Sequence, residues 1–155
     1  MMRRLRLEVN EAKTSLRRVP AQGVDFLGYT IGRCYSPRTG RAYIGTRPSS
    51  KSVRRVMQEL SRLTARDTAW MTAAEEVRRI NAVLTGWSNY FCLGPVSGAY
   101  RAIDRHITHR LRWWLCRKHK QAGQGYSCYP DEYLYDTLGL ICLGRRTHDF
   151  PWAKA

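Results

Sequence analysis

The sequence lacks the features that mark secreted and membrane-spanning proteins. No stretch approaches the roughly 20 consecutive apolar residues of a membrane-spanning helix. The chain starts MMRRLRLEVN, and no apolar run follows these basic residues as it would in a secretory signal. The five cysteines form no Cys-x-x-Cys pair. We therefore expect a cytoplasmic protein whose reduced cysteines are small buried hydrophobic side chains.

Acidic residues are scarce, and they are dispersed. Only 12 Asp and Glu residues stand against 27 Lys and Arg residues. No Asp-Asp or Asp-x-Asp pair occurs, whereas a two-metal phosphoryl-transfer centre needs clustered carboxylates. The sequence also has no glycine-rich phosphate loop, nucleophile elbow or recognisable Cys/His pair. We therefore expect no catalytic residues, no metal site and no cofactor in this chain.

The sequence does contain a large excess of arginine together with enough apolar residues for a core. The formal net charge is +15, the pI is about 10.2, and 43% of the 155 residues are hydrophobic. Such an excess of one charge opposes compaction and favours polyanionic partners. Arginine binds phosphate bidentately and stacks on bases. Nucleic acid is therefore the expected partner, and an anionic membrane surface or a ribosome-like assembly is the alternative.

A β-hairpin is predicted in the first third of the chain. Residues 24–33, VDFLGYTIGR, are rich in aromatic and β-branched residues, as a strand is. Residues 36–40, SPRTG, place Pro and Gly at turn positions. Residues 41–46, RAYIGT, form the returning strand of this prediction.

Three helices are predicted to follow the hairpin. The first spans about residues 51–66 and is capped by Ser49 or Ser50, and the third spans about residues 98–120. The second begins at Thr72, where Glu75 completes a capping box, and continues through Tyr90. Apolar residues recur at helical spacing in each helix. They are Val53, Val56, Met57, Leu60 and Leu63, then Val77, Ile80, Leu84 and Trp87, then Ile103, Ile107, Leu111, Trp114 and Leu115.

The predicted fold class is therefore α+β and mostly α, with a β-hairpin followed by a three-helix bundle. Three segments are expected, with boundaries at residues 1–48, 49–122 and 123–155. Basic residues surround the apolar stripes of the first and third helices. His106 and His109 have a spacing that suits metal ligation, but no further ligand has a recognisable spacing. The prediction for both histidines is a surface or phosphate-facing position.

Several motifs resemble group II intron reverse transcriptases. NEAKTSL (10–16) followed by VDFLGYTI (24–31) is similar to the end of the palm, where an N-x-x-KT segment precedes an FLG-aromatic hairpin. Residues 51–91 resemble the maturase-specific domain, also called domain X or the thumb. Its hallmark, LN-x-x-L-x-GW-x-NYF, is similar to INAVLTGWSNYF (80–91). The spaced pattern D-x-x-I-x-x-x-L-x-x-W that follows is matched by Asp104, Ile107, Leu111 and Trp114.

The resemblance implies an RNA-binding maturase or thumb module that supports splicing and reverse transcription. Its partners would be structured intron RNA or an RNA/DNA template–primer duplex. The implied RNA-binding residues are Lys13, Lys51, Arg54, Arg55, Arg101, Arg105, Arg110, Arg112, Arg117 and Lys118. The implied primer-grip residues are Phe26, Leu27, Gly28 and Tyr29. The implied signature residues are Gly86, Trp87, Asn89, Tyr90 and Phe91.

The polymerase centre of this family, with its Tyr-x-Asp-Asp run, lies upstream of the matching segments. The chain is therefore expected to be inactive as a polymerase alone, and Mg²⁺ is expected only in the missing fingers–palm part. That part is a further candidate partner. The alternative to an RNA-binding module is a split or non-functional remnant of the enzyme. The cysteines do not match the family's HNH endonuclease.

Two interpretations of GWSNYF (86–91) stay open on the sequence alone. Trp87 and Phe91 are four residues apart and would face the core, and Gly86 would let another helix approach closely. Asn89 would satisfy the backbone or a polar neighbour at the helix end. Alternatively, Asn89 and Tyr90 contact RNA.

Overall fold

The computed structural model describes residues 23–36 and 38–147. Its first elements are three strands, β1 (Val24–Phe26), β2 (Tyr29–Tyr35) and β3 (Ala42–Pro48). They form one antiparallel sheet in the order β1-β2-β3. The predicted hairpin is thus present as β2 and β3.

The prediction of a single strand over residues 24–33 is wrong. The chain reverses at Leu27 and Gly28, and Phe26 pairs with Tyr29 across this two-residue turn. Both turn residues have positive φ, 48° at Leu27 and 82° at Gly28. Two-residue hairpin loops favour such values because their twist matches that of the strands. Asn-Gly or Asp-Gly usually marks such a turn in a sequence. Here Leu-Gly occupies the turn, so residues 24–33 read as one continuous strand.

Helices make up most of the remaining structure, and the α+β class is confirmed. They are α1 (Ser50–Leu63), α2 (Ala73–Tyr90), α3 (Ser97–Lys118) and α4 (Leu143–Arg146). A short 3-10 helix, Arg66–Thr68, lies between α1 and α2, and a π-helical turn, Tyr133–Thr137, precedes α4. No helix in the described ranges is long and apolar enough to cross a membrane.

The predicted N-caps are confirmed. The Ser49 hydroxyl accepts a hydrogen bond from the Ser52 amide at 3.2 Å, so α1 begins at Ser50. Thr72 and Glu75 form the capping box of α2, with the Thr72 amide donating to the Glu75 carboxylate at 2.9 Å. These bonds satisfy amides that have no partner inside the helix.

The apolar stripes of α1, α2 and α3 meet in one core. Leu60, Ile80, Leu84, Ile103 and Ile107 are fully buried there. The predicted stripes are therefore confirmed, because the side chains at helical spacing are the ones that pack together.

The segment after α3 packs onto the same core. Tyr129, Leu134, Leu140 and Leu143 belong to the apolar cluster of the helices. Asn81 on α2 adds polar contacts, since its Nδ2 donates to the Gly139 carbonyl at 2.8 Å and its Oδ1 accepts from the Ile141 amide at 2.9 Å. The division at residues 49–122 and 123–155 stays a prediction.

The five cysteines are free, but they are not all buried. Cys34 and Cys116 are buried, as expected of small hydrophobic side chains. Cys128 is exposed, and Cys92 and Cys142 are half-buried. The expectation of buried cysteines therefore holds for only some of them.

Candidate nucleic-acid interface

Helices α1 and α3 pack side by side and run in the same direction. Near the middle of the contact, the His106 Nε2 lies 2.9 Å from the Ser61 hydroxyl and 3.1 Å from the Met57 carbonyl. One turn further along, Arg110 contacts the end of α1 at Thr64. The two most basic helices of the sequence are thus neighbours, which places their outer surfaces close to each other.

His106 does not occupy the predicted surface or phosphate-facing position. It is half-buried between α1 and α3, and burial lowers the pKa of its imidazole, with the neighbouring Arg110 charge acting in the same direction. His109 is exposed on α3. Within the described part of the chain, no group of three or more His, Cys, Asp or Glu side chains is arranged to hold a metal ion.

Most of the cations implied by the resemblance lie on the surface. The exposed ones are Lys51, Arg54, Arg55, Arg101, Arg105 and Arg117. The ion pairs found in the described residues use other cations, Arg62, Arg79 and Arg112. Among the residues that the structure describes, each exposed candidate therefore forms no ion pair with an acidic side chain. Lys13 lies outside the described residues.

Three other candidates are held by the protein itself. Arg110 donates to the Ser61 carbonyl at 2.8 Å and to the Thr64 carbonyl at 3.1 Å, so it caps the C-terminal end of α1. Lys118 donates to the Ala69 carbonyl at 3.1 Å. Arg112 is only 4% exposed.

The burial of Arg112 was missed because the sequence places it among surface arginines. Its Nε donates to the Tyr129 carbonyl at 2.8 Å, and its Nη2 pairs with the Asp131 carboxylate. The guanidinium also lies 4.6 Å from the ring centre of Tyr126. The sequence did contain one indication of this burial. Three acids, Asp131, Glu132 and Asp136, lie close together in an otherwise basic chain, and such a group offers an arginine a partner.

Arg54 lines a groove that sequence reasoning did not predict. The groove has a volume of about 450 Å³ and lies where β3, α1 and α3 meet. Arg47 from β3 lines it together with Arg54, while Val53, Met57 and Ala99 form the apolar part. Two cations from separate elements thus line the same groove.

The primer-grip-like turn is anchored at the start of α1. The Gly28 carbonyl accepts hydrogen bonds from the Ser49 amide at 2.8 Å and from the Ser52 hydroxyl at 2.7 Å. Phe26 and Leu27 are 62% and 67% exposed. The turn is therefore fixed by its glycine and presents two apolar side chains to solvent.

The GWSNYF motif packs against this turn. The rings of Trp87 and Phe91 lie 4.7 Å apart, and Phe91 is buried and lies 5.0 Å from the ring of Tyr29. A Cβ at Gly28 would come within 2.9 Å of the Phe91 ring. The two motifs that carry the family resemblance are thus in direct contact.

The polar residues of the motif contact protein groups. The Tyr90 hydroxyl donates to the Leu27 carbonyl at 3.0 Å. The Asn89 side-chain oxygen accepts from Arg146 at 3.2 Å, so Asn89 has the polar neighbour that was expected. Arg146 also donates to the Ser88 hydroxyl at 2.8 Å.

Gly86 does not have the predicted role. It is exposed, and apart from its chain neighbours and the backbone of its own helix no heavy atom of the described residues lies within 4 Å of the position that a Cβ would take. No described helix therefore approaches it closely. Trp87 is half-buried rather than fully buried, and its indole N–H is enclosed without a hydrogen-bond partner in the described part of the chain.

Asp104, the acid of the spaced pattern on α3, has a structural position. It is buried, and its two carboxylate oxygens each accept a backbone amide at 2.9 Å, one from Leu143 and one from Gly144. Burial raises the pKa of this carboxyl, while the two amide bonds act in the opposite direction. Asp104 thus fixes the start of α4 to α3.

Comparison with known families agrees with this arrangement. Residues 53–129 match the family described as group II intron, maturase-specific domain. The matched region includes most of α1 and the whole of α2 and α3 with the GWSNYF motif. No curated protein matches the chain. The resemblance to the C-terminal maturase region of group II intron reverse transcriptases is confirmed.

Proposed function

From the premise that residues 53–129 carry the group II intron maturase-specific domain, whose role is in intron splicing, we propose that the chain binds structured intron RNA. It binds through the outer surfaces of α1 and α3. The binding requires no chemistry by the protein, because the RNA phosphates are held by side chains that stay positively charged.

The observation that carries this proposal is a set of exposed cations on two adjoining helices that no described ion pair engages. Arg54 and Arg55 on α1 and Arg101 and Arg105 on α3 are exposed and take part in none of the ion pairs of the described residues. Of the acids on the same two helices, Glu59 pairs with Arg62 and Asp104 is buried. A folded surface of this kind attracts phosphate over the distance of a Debye length, about 8–10 Å at moderate salt.

A second candidate function rests on the turn at Leu27. Phe26, Leu27, Ile31 and Leu93 surround an apolar pocket of about 330 Å³ beside Tyr90. An exposed apolar site of this kind suits contact with a fingers–palm part, and the chain would then act on a template–primer duplex as part of a polymerase. In that case the isolated chain would bind RNA without preference for the intron.

The test compares binding of a structured intron RNA with binding of a random-sequence RNA of equal length across a salt series. Log affinity should fall linearly with log salt, with a slope of about −0.7 to −0.9 per phosphate neutralised. The double variant Arg54→Gln/Arg105→Gln should flatten the slope by about one unit for each phosphate that is no longer neutralised.

The matched control is Arg33→Gln/Arg78→Gln, which removes the same charge from the surface outside α1 and α3. Arg33 lies on β2 and Arg78 on α2, and both are exposed. Equal flattening in both double variants would show that the effect comes from net charge alone. Equal affinity of the wild-type chain for both RNAs would favour the second candidate function.

A further inference from the structure

Two adjacent tryptophans on α3 have different environments. Trp114 is 1% exposed, and its indole N–H donates to the Thr68 hydroxyl at 3.0 Å. Trp113 is 43% exposed and does not belong to the apolar core cluster. The core therefore accounts for Trp114 but not for Trp113.

Trp113 is part of a stack along the outside of α3. The ring of His109 lies 5.6 Å from the ring of Trp113, and the guanidinium carbon of Arg117 lies 5.9 Å from the Trp113 ring centre. The three residues are separated by four positions each, which places them on successive turns of one helix face. We call His109, Trp113 and Arg117 the α3 stack.

The α3 stack holds the indole in place without covering it. Contacts to His109 and Arg117 restrict the Trp113 side chain, so a base that stacks on it causes little further loss of freedom. Arg105, one turn before His109, and Arg117 supply positive charge on either side of the ring. An aromatic face between cations suits an unpaired base whose flanking phosphates reach the cations.

We propose that Trp113 is a stacking site for an unpaired base of the bound RNA. The proposal rests on the proposed function, because it assumes that α1 and α3 form the RNA-binding surface. Paired regions of the RNA would be held through their phosphates, and the α3 stack would add affinity wherever a base is free to leave its helix.

The probes are two RNA duplexes of equal length, one fully paired and one with a single bulged adenine. For the wild-type chain the bulged duplex should bind more tightly. Trp113→Ala should weaken binding of the bulged duplex by about 10-fold, because one base–aromatic stack is removed. It should change binding of the paired duplex less than about two-fold, and the salt slope should stay the same because no charge is removed.

A second readout detects stacking directly. With 2-aminopurine at the bulged position, the wild-type chain should quench the fluorescence, Trp113→Ala should not, and Trp113→Phe should restore most of the quenching. The control is Trp70→Ala, since Trp70 is 80% exposed but lies outside the α3 stack. It should behave as the wild type does. A thermal melt of each variant confirms that it is folded.

The outcomes separate this inference from the proposed function. If the wild-type chain binds neither duplex but binds the intron RNA, this inference fails while the proposed function stands; if it binds none of the three RNAs, both fail. If the wild type binds and Trp113→Ala weakens both duplexes equally, weakens neither, or retains the quenching, then the stacking site is wrong while RNA binding stands. An equal loss in Trp70→Ala would also overturn the assignment to Trp113.

Discussion

Two hydrogen bonds link Tyr29 and Tyr90, and each is donated by one tyrosine hydroxyl to a backbone carbonyl at or near the other tyrosine. The Tyr29 hydroxyl donates to the Tyr90 carbonyl at 2.5 Å, and the Tyr90 hydroxyl donates to the carbonyl of Leu27, within the turn that Tyr29 follows, at 3.0 Å. Their rings lie 6.0 Å apart. The pair joins the sheet to the end of α2 and so connects the FLGY turn to the GWSNYF motif.

We expect Tyr90→Phe to lower the free energy of unfolding by about 0.5–1.5 kcal/mol, the range for one intramolecular hydrogen bond. Tyr29→Phe should have an effect in the same range. The double variant should lose less than the sum, because both bonds hold the same contact between sheet and helix. Thermal melts of the four proteins measure this coupling. Tyr35→Phe, an exposed tyrosine on β2, is the control.

A second expectation concerns the strained turn. Leu27 has φ of 48°, which disfavours residues with a Cβ by about 1–2 kcal/mol, and Asn tolerates this conformation better. Leu27→Asn should therefore raise the unfolding free energy by up to about 1 kcal/mol. Gly28→Ala should lower it, because the added Cβ would meet Phe91 and Ser52 at 2.9 Å. Chemical denaturation of both variants checks the signs. A destabilised Leu27→Asn protein would show that the exposed leucine side chain contributes packing.

A third expectation concerns the anchor of the C-terminal segment. Asp104→Asn replaces one carboxylate oxygen by an amide that cannot accept, so the amide of Leu143 or Gly144 loses its partner. A buried unpaired amide costs about 1–3 kcal/mol. Hydrogen exchange of the backbone amides of residues 143 and 144 should become faster, while exchange in α1, α2 and α3 should stay unchanged. Asp136→Asn, at an exposed position, should leave the exchange unchanged. Equal exchange in both variants would contradict the anchoring role.

The fourth expectation is a pH dependence caused by His106. Burial holds the pKa of this imidazole below its ordinary value of 6.5. As the pH falls through about 6.5, the unfolded chain therefore takes up the proton before the folded chain does. The free energy of unfolding should then decrease until the pH passes the lower, folded-state pKa. His106→Gln should flatten this part of the stability curve, measured by denaturation at a series of pH values. His109→Gln is the control, and in this variant the decrease of the unfolding free energy with falling pH that His106 causes should remain.

Local sequence patterns were sufficient for the three long helices, but not for α4 or the short helical turns. Ser49 and the Thr72/Glu75 capping box set the starts of α1 and α2, because a cap needs only residues within one turn. The apolar stripes predicted the core for the same reason, since helical periodicity is a local property. The family resemblance was equally local, because GWSNYF is contiguous in the sequence.

Only the tertiary structure decided which basic and aromatic side chains are exposed and which are engaged by the protein. Arg105 and Arg112 look alike in the sequence, yet Arg112 is buried because Asp131 and the Tyr129 carbonyl, far along the chain, satisfy its guanidinium. Helical spacing already assigns Trp114 to the core, but only the fold shows that its indole N–H donates to Thr68. Only the fold likewise shows that Trp113 lies exposed between His109 and Arg117. The burial of a charged side chain depends on partners distant in sequence, which no local pattern encodes. The charge needed for RNA binding could therefore be predicted from the sequence, but the shape of the interface could not.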